Sequence, residues 1–314
     1  MSKTVILSDL HIGDMSDADD FYTSGNFEKF IPFLEFIEKD DDIEKIVIAG
    51  DFFELWQCKV EKILQMYVEL WKIFLKFKRT GKQVIYVPGN HDSLPFAKLV
   101  YKVAPFPFGP IQLTDKSDIE EEKKLIFPYY FEKNIWIEHG HRFDKYNRDV
   151  STLAGGNKGV LGRFIAQTIG FVERLGAKDI DEQLEKLWDE TKLLWSKLKK
   201  KFTSPFYKIA GNLQSYVTPA SEKYTGDYSE YDVEGSTILG KRLLDMGYEK
   251  IFVVLGHTHK PKIVQVDKRI IYANSGSWVG KEPTFCVFDD KKQSITLCKW
   301  ESGEAIQIDE KSFN

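Results

Sequence analysis

Three short runs of β-branched and other apolar residues, 4–7, 45–49 and 83–87, each break off into a glycine, proline or acidic turn and then into a helical pattern. That repeat is the syntax of strands joined by crossover helices, and it commits the chain to a sheet covered by helices. Between the second and third runs, Val60, Ile63, Leu64, Tyr67, Leu70, Trp71, Phe74 and Phe77 recur at helical spacing. A crossover helix there would carry one wide apolar face. In sheets of this kind ligands collect at the carboxyl ends of the strands.

The chemistry-bearing residues stand at those ends. All six histidines fall in four short segments, Asp9-Leu10-His11, Gly89-Asn90-His91-Asp92, His139-Gly140-His141 and Gly256-His257-Thr258-His259, and Gly50-Asp51 adds a carboxylate after the second run. Random placement would scatter so scarce a residue. Histidine is the commonest transition-metal ligand and the usual proton carrier near neutral pH, so its confinement to strand ends points to a metal-dependent catalytic centre. Asp9 and His11 lie two apart and project to one side, where they can share a cation. Asp51 could bridge two cations, Asn90 offers a neutral amide oxygen, and His257 and His259 again lie two apart. Together these ligands suffice for two ions at the spacing of two-metal hydrolases, about 3.5–4 Å. Oxygen and imidazole donors without thiolate favour manganese, iron, zinc or similar ions without ranking them, and disfavour a calcium cage or an iron–sulfur cluster; manganese is the first expectation, with iron or zinc as alternatives.

Further apolar runs at 124–127, 134–138, 250–255, 262–267, 269–273, 284–288 and 294–300 read as strands. Two stacked sheets with helices outside accommodate both halves. Between them, from 150 to 247, the strand pattern stops, and amphipathic helical stretches near 160–175 and 181–202 carry Trp188 and Trp195. The expected organisation is therefore a core of residues 1–149 and 248–314 interrupted by a helical insertion, 150–247, that serves as a lid. The lid either packs on the core or grips an acyl chain or membrane headgroups.

A net charge of −4 gives no electrostatic footprint for nucleic acid, so a phosphorylated substrate would be attracted locally by the cations. Cys58, Cys286 and Cys298 have neither paired nor metal-ligand spacing, which suits a reducing cytoplasm. A cleaved leader would remove the first motif, and no apolar run is long enough to span a bilayer. A cytoplasmic protein is expected, with room for peripheral contact with the inner face of the membrane; the oligomeric state stays open.

The ordered series D-x-H, G-D, G-N-H-D, H and G-H-x-H, from Asp9 to His259, resembles the calcineurin-like metallophosphoesterase superfamily. The resemblance implies a four-layer α/β/β/α sandwich of two mixed sheets with a dinuclear site above the strand ends. It implies that Asp9, His11, Asp51 and His259 hold one ion, and that Asp51, Asn90, His139 and His257 hold the other. His91 would stay unliganded, assisting departure of the leaving group while water activated between the ions attacks phosphorus, and Asp92 would orient its ring. His141 and Asn147 are candidates for substrate contact. Glu54 stands between a structural role and support of the ligands, and the turn Asn274-Ser275-Gly276-Ser277-Trp278 reads as backbone geometry beside the site.

Within that superfamily the block Gly50-Asp51-Phe52-Phe53-Glu54-Leu55-Trp56 resembles the UDP-diacylglucosamine pyrophosphatases of lipid A synthesis. Those enzymes carry arginine where this chain has His91, and a shorter insertion. The expected activity is hydrolysis of a phosphodiester or pyrophosphate, with a lipid-linked nucleotide as one candidate substrate. A nuclease or phosphoprotein phosphatase would use the same centre. A non-catalytic scaffold of this fold, as in the retromer subunit, would not need His91 beside a full ligand set.

Overall fold

The computed structural model describes residues 3–16, 19–54, 58, 63, 66–92, 108–109, 112–113, 128–144 and 229–313. Strands β1 (Lys3–Leu7), β2 (Ile43–Ala49) and β3 (Gln83–Val87) are parallel neighbours in which Val5, Ile46 and Val84 stand side by side. The short β4 (Phe108–Gly109) extends them on one side, and the antiparallel β11 (Thr284–Asp289), β12 (Ser294–Glu301) and β13 (Glu304–Ser312) extend them on the other. The second sheet runs β5 (Gln112–Leu113), β6 (Pro128–Glu132), β7 (Ile135–Ile137), β8 (Ile251–Leu255), β10 (Ile270–Asn274), β9 (Lys262–Asp267). Both sheets are mixed: β7, β8 and β10 are parallel, while β6 and β9 run against their neighbours.

The continuous apolar character of the strands follows from their having two buried faces. Ile6, Val47, Ala49, Ile85 and Val87 point inward against Ile137, Phe252, Val254, Ile271 and Ala273 of the other sheet. The alternate residues Val5, Leu7, Ile46, Ile48, Val84 and Tyr86 point outward. There they meet α2 (Asn26–Lys39) and α3 (Val68–Arg79), which follow the four-residue α1 (Asp20–Thr23). Phe30, Phe33, Leu34 and Ile37 line one side of α2, as Leu70, Phe74 and Phe77 do on α3. Each fully buried side chain of this size contributes on the order of 1.5–3 kcal/mol, enough for α2 to tolerate Pro32 on its exposed side. On the far face of the second sheet, α4 (Ser229–Asp245) seats Leu239 and Leu243 on Ile251, Val253, Leu255 and Tyr272. The layers are thus α/β/β/α, as expected.

Two details anchor the functional end. Trp278, in the turn after β10, is enclosed by Phe30 and Phe33, each with its ring centre 4.7 Å away. Its backbone N–H donates to the Asp9 carbonyl at 3.0 Å, so the α2 packing fixes the first ligand loop. Among the described residues no helix is long and apolar enough to cross a membrane.

Of the stretch 150–247 expected as an insertion, residues 229–247 are described, and α4 within them lies on the second sheet. The helical stretches with Trp188 and Trp195, and Asn147, lie outside the described residues, as does the strand expected at 124–127; the neighbouring β6 begins at Pro128. β13 was not anticipated. It is an edge strand whose residues are mostly exposed, Ile306 and Ile308 included, and its apolar alternation is confined to those two before the charged residues 309–311.

Candidate metal centre

Five loops converge where β1, β2, β3, β7 and β8 end. The first two are zipped together beyond their strands: Asp9 and His11 donate backbone N–H groups to the carbonyls of Gly50 and Asp51, at 3.1 and 2.9 Å, and Ile12 donates to Phe52 at 2.9 Å. This pairing holds Asp9, His11 and Asp51 in left-handed backbone conformations, φ +54°, +49° and +48°; His257 and His259 are left-handed too, at +69° and +56°. Non-glycine residues enter that region rarely, at a cost of order 1–3 kcal/mol. Five of the nine such residues among those described are expected ligands, so strain is concentrated where the sequence places the chemistry.

The motif glycines are explained by crowding. A Cβ at Gly50 would run into the His139 ring, one at Gly89 into the Asp51 carboxylate and backbone, and one at Gly256 into Ser8 and the Asp9 carboxylate. Each glycine lets one ligand pack directly against the backbone of the loop that carries another.

Besides a cluster of His11, Glu54 and His91, the side chains form two further groups of potential ligand atoms, each group lying within 4.8 Å: Asp9, His11 and His259; and Asp51, His139 and His257. Asp51 Oδ2 joins them, 3.8 Å from His11 Nε2 and 3.0 Å from His139 Nε2, and the Asn90 amide oxygen lies 3.0 Å from His139 Nε2. Several imidazoles have one nitrogen committed elsewhere: His139 Nδ1 to the Ala49 carbonyl at 3.0 Å, His11 Nδ1 to Glu54 Oε2 at 3.1 Å, and His257 Nε2 to Asp144 Oδ2 at 3.0 Å. An acceptor on one ring nitrogen draws the hydrogen there and leaves the lone pair on the other.

The donor set fits divalent cations on two counts. Asp9 Oδ1 and His11 Nε2 are buried without a hydrogen bond and lie 3.9 Å apart, a separation suited to atoms that share an ion bound at about 2.0–2.2 Å. Asp9 Oδ2, by contrast, is held by the Ser8 hydroxyl and the His257 N–H. The electrostatics also call for positive charge. Burial alone would push the Asp9 carboxyl up and the His139 imidazole down, yet their neighbours prevail. His259 and His139 hold Asp9 at about 2, and Asp51 and Asp9 lift His139 to about 10.

Glu54 takes the second of the two roles left open for it, support of the site's histidines, whereas Asp92 takes a role other than the one expected. Asp92 does not orient His91: its carboxylate accepts backbone N–H groups from Gly89, Asp51, Phe52 and Phe53, at 2.6, 3.2, 2.6 and 3.3 Å, tying the second ligand loop to the third. Burial and the nearby Asp51 push its carboxyl up to about 6. The ring of His91 is held instead by Glu54, whose Oε2 lies 2.7 Å from His91 Nδ1 while also engaging His11, and these two rings pack edge to face at 4.6 Å. Burial opposes ionisation of Glu54, but hydrogen bonds from His11 and His91 hold it at about 2. Spacing alone singled out the histidine beside Asp92 and could not tell which carboxylate reached it.

His141 begins a short 3-10 turn (His141–Phe143) and is buried, its ring 5.3 Å from that of His139. Burial, then the neighbouring His139 and His257, push its imidazole well below the usual histidine range. Asp144, at the end of the same turn, was missed because nothing in its spacing relates it to His257. The turn after β10 does serve the centre: Ser275 and Gly276 engage the Ser8 hydroxyl, and Asn274 donates to the Gly256 carbonyl.

A profile of the calcineurin-like phosphoesterase family matches residues 2–261. No curated protein sequence matches the chain. Among solved structures the chain is similar to Vacuolar Protein Sorting 29 from Cryptosporidium parvum, at 13% identity over 99% of this chain and 98% of that one, with a TM-score of 0.36. It is similar also to an archaeal phosphodiesterase, at 14% identity over 95% and 99%, TM-score 0.36. A dimetal phosphatase from Danio rerio is similar at 10% identity over 99% of each chain, TM-score 0.45.

Proposed function

We propose, from the premise that this chain belongs to the calcineurin-like phosphoesterase family, that it hydrolyses a phosphodiester or pyrophosphate bond with two divalent ions, manganese first and iron or zinc as alternatives. The observation that carries the reading is the convergence of Asp9, His11 and His259 with Asp51, His139 and His257 in two adjoining groups, on a backbone held left-handed at five of those residues. Asp9, His11, Asp51 and His259 would hold one ion, and Asp51, Asn90, His139 and His257 the other. Bound there, the ions would lower the pKa of water and neutralise charge growing on the phosphoryl oxygens.

The protein's own groups have distinct tasks. Glu54 on Nδ1 of His91 fixes that ring and leaves Nε2 as the nitrogen that faces a leaving oxygen. Burial opposes charge on His91, but Asp51 and Glu54 outweigh it and raise its pKa, so the doubly protonated ring carries an Nε2–H. As water oxygen adds to phosphorus, giving up one proton to solvent, and the bond from phosphorus to the leaving oxygen breaks, that oxygen takes the proton from His91 Nε2, which solvent restores. Asp92 keeps the Asp51 and Asn90 loops in mutual register through backbone amides, so that the two groups of ligands stay adjacent.

Metal analysis joined to a substrate panel tests this. The panel holds nitrophenyl mono- and diesters, nucleotides, UDP-linked lipids and single-stranded DNA; the UDP-linked lipids are included because of the block at 50–56. Two ions per chain with diester or pyrophosphate cleavage abolished by chelation is the expected result. Turnover confined to monoesters, or indifferent to chelation, would overturn the proposal.

A further inference from the structure

The Gly256-His257-Thr258-His259 turn is gripped by two buried aspartates that belong to no ligand motif. Asp144 ends the 3-10 turn that follows His139 and places Oδ2 3.0 Å from His257 Nε2. Asp232, near the start of α4, accepts from Tyr272 Oη at 2.6 Å and from Thr258 Oγ1 and Lys262 Nζ at 3.2 Å each. The two differ in what they touch: Asp232 holds the residue between the two histidines, whereas Asp144 holds a histidine ring.

That difference decides a tautomer. A neutral imidazole carries one N–H, and an ionised carboxylate can only accept, so Asp144 draws the hydrogen onto Nε2 of His257 and the lone pair onto Nδ1. The His257 backbone cannot easily supply the same control, because its N–H is already committed to Asp9 Oδ2 at 2.9 Å and its φ is left-handed. His139 shows the matching arrangement, with the Ala49 carbonyl on one nitrogen and Asp51 and Asn90 at the other.

We infer that Asp144 is a positioning residue of the centre: it selects the tautomer in which His257 Nδ1 is the ligand atom and holds that ring toward Asp51 and His139. The inference rests on the reading that Asp51, His139 and His257 hold an ion. Losing such an outer partner of a ligating histidine costs about 10–100-fold in metal affinity. Asp232 is the matched control, since its loss removes buried hydrogen bonds beside the same turn without touching the ring.

Two measurements on the full chain test the role. In metal-free protein labelled with 15N-histidine, ring resonances should report the Nε2–H form for His257 in the parent and in Asp232→Asn, and a mixed or inverted population in Asp144→Ala. Calorimetric titration with Mn2+ should give two ions in the parent, and in Asp144→Ala about 10–100-fold weaker binding of one of them with the other retained. Should the alanine variant not fold, Asp144→Asn keeps the shape with a weaker neutral acceptor, and about a tenfold loss confined to one ion is expected of it. Parent protein that binds no ion would sink the metal reading itself. Two ions in the parent with unchanged affinities in the Asp144 variants, or an equal loss in Asp232→Asn, would sink only the role of Asp144.

Discussion

Replacing Gly89 by alanine isolates the crowding on which the ligand geometry depends. Gly89 is outside the left-handed region, so the added methyl strains no backbone dihedral. Its Cβ would overlap Asp51 Oδ1 most closely and stand 2.7 Å from the Asp51 backbone nitrogen and 2.7 Å from His139 Cδ2, where ordinary contact begins at 3.4 Å, so that about 0.7 Å must be found at the latter two and more at the carboxylate. Overpacking of this kind costs about 1–3 kcal/mol, and the smaller conformational freedom of unfolded alanine returns about 0.4–1 kcal/mol. The net, roughly 1–2 kcal/mol in a chain this long, lowers the melting temperature of metal-free protein by about 2–3 °C. The metal effect is much larger, because ligand distances tolerate only about 0.2 Å and the displaced residues belong to both ligand groups. Affinity for both ions should fall by more than about 100-fold, read by calorimetry with Mn2+ and by thermal denaturation with and without chelator. Gly81→Ala is the control: its Cβ meets open space but its φ is +78°, so it should cost stability of order 1–2 kcal/mol and leave metal affinity untouched. Two ions bound at parent affinity by Gly89→Ala would refute the claim that the glycine exists to let Asp51 and His139 approach.

His91→Ala should keep its metal content and lose roughly 100-fold or more in turnover, as expected for loss of acid assistance; unchanged turnover would remove His91 from the chemistry. Glu54→Gln replaces two charge-assisted contacts to His11 and His91 with neutral ones, so turnover at saturating metal should drop about tenfold or more and one ion should bind more weakly. If only stability changes, Glu54 is structural. Away from the centre, burial of Glu132 is outweighed by its bonds to Lys45 and Tyr130, which hold its carboxyl below the usual range. A lowered carboxylate pKa stabilises the fold above the ordinary glutamate value, and that contribution fades as pH falls through the lowered one. Lys45→Met should therefore flatten the decline of melting temperature on acidification; an unchanged slope would show the pair to be inert.

What the sequence discloses follows from which constraints are local. The strands β1, β2, β3 and β8 are legible because both faces are buried, which forces unbroken apolar runs, and the ligands are legible because each sits a fixed short distance past such a run. The groups that orient the ligands are not legible. Glu54 and Asp92 each lie near His91 in the fold, yet only the zipped loops after β1 and β2 decide that Glu54 meets the ring while Asp92 turns to backbone amides. Asp144 reaches His257 across 113 positions of sequence, a separation that no periodicity encodes. β13 is hidden for another reason: at an exposed edge, polar residues form a strand as readily as apolar ones once β12 supplies the ladder.

The backbone around the centre explains why so much of the scaffold is devoted to it. Five left-handed ligands, at of order 1–3 kcal/mol each, together approach the whole net stability of a typical domain, about 5–15 kcal/mol. The interactions that offset this converge on the same loops: the interstrand bonds from Asp9, His11 and Ile12, the four amides on Asp92, the Asn274 contacts to the Gly256 turn, and the aromatic enclosure of Trp278, whose N–H closes on the Asp9 carbonyl. All of these contacts join protein groups directly, with no ion between them. A centre held this way is preorganised, so ion binding need not supply the energy of bending the loops, and its selectivity falls to the few atoms left without hydrogen bonds, Asp9 Oδ1 and His11 Nε2 among them.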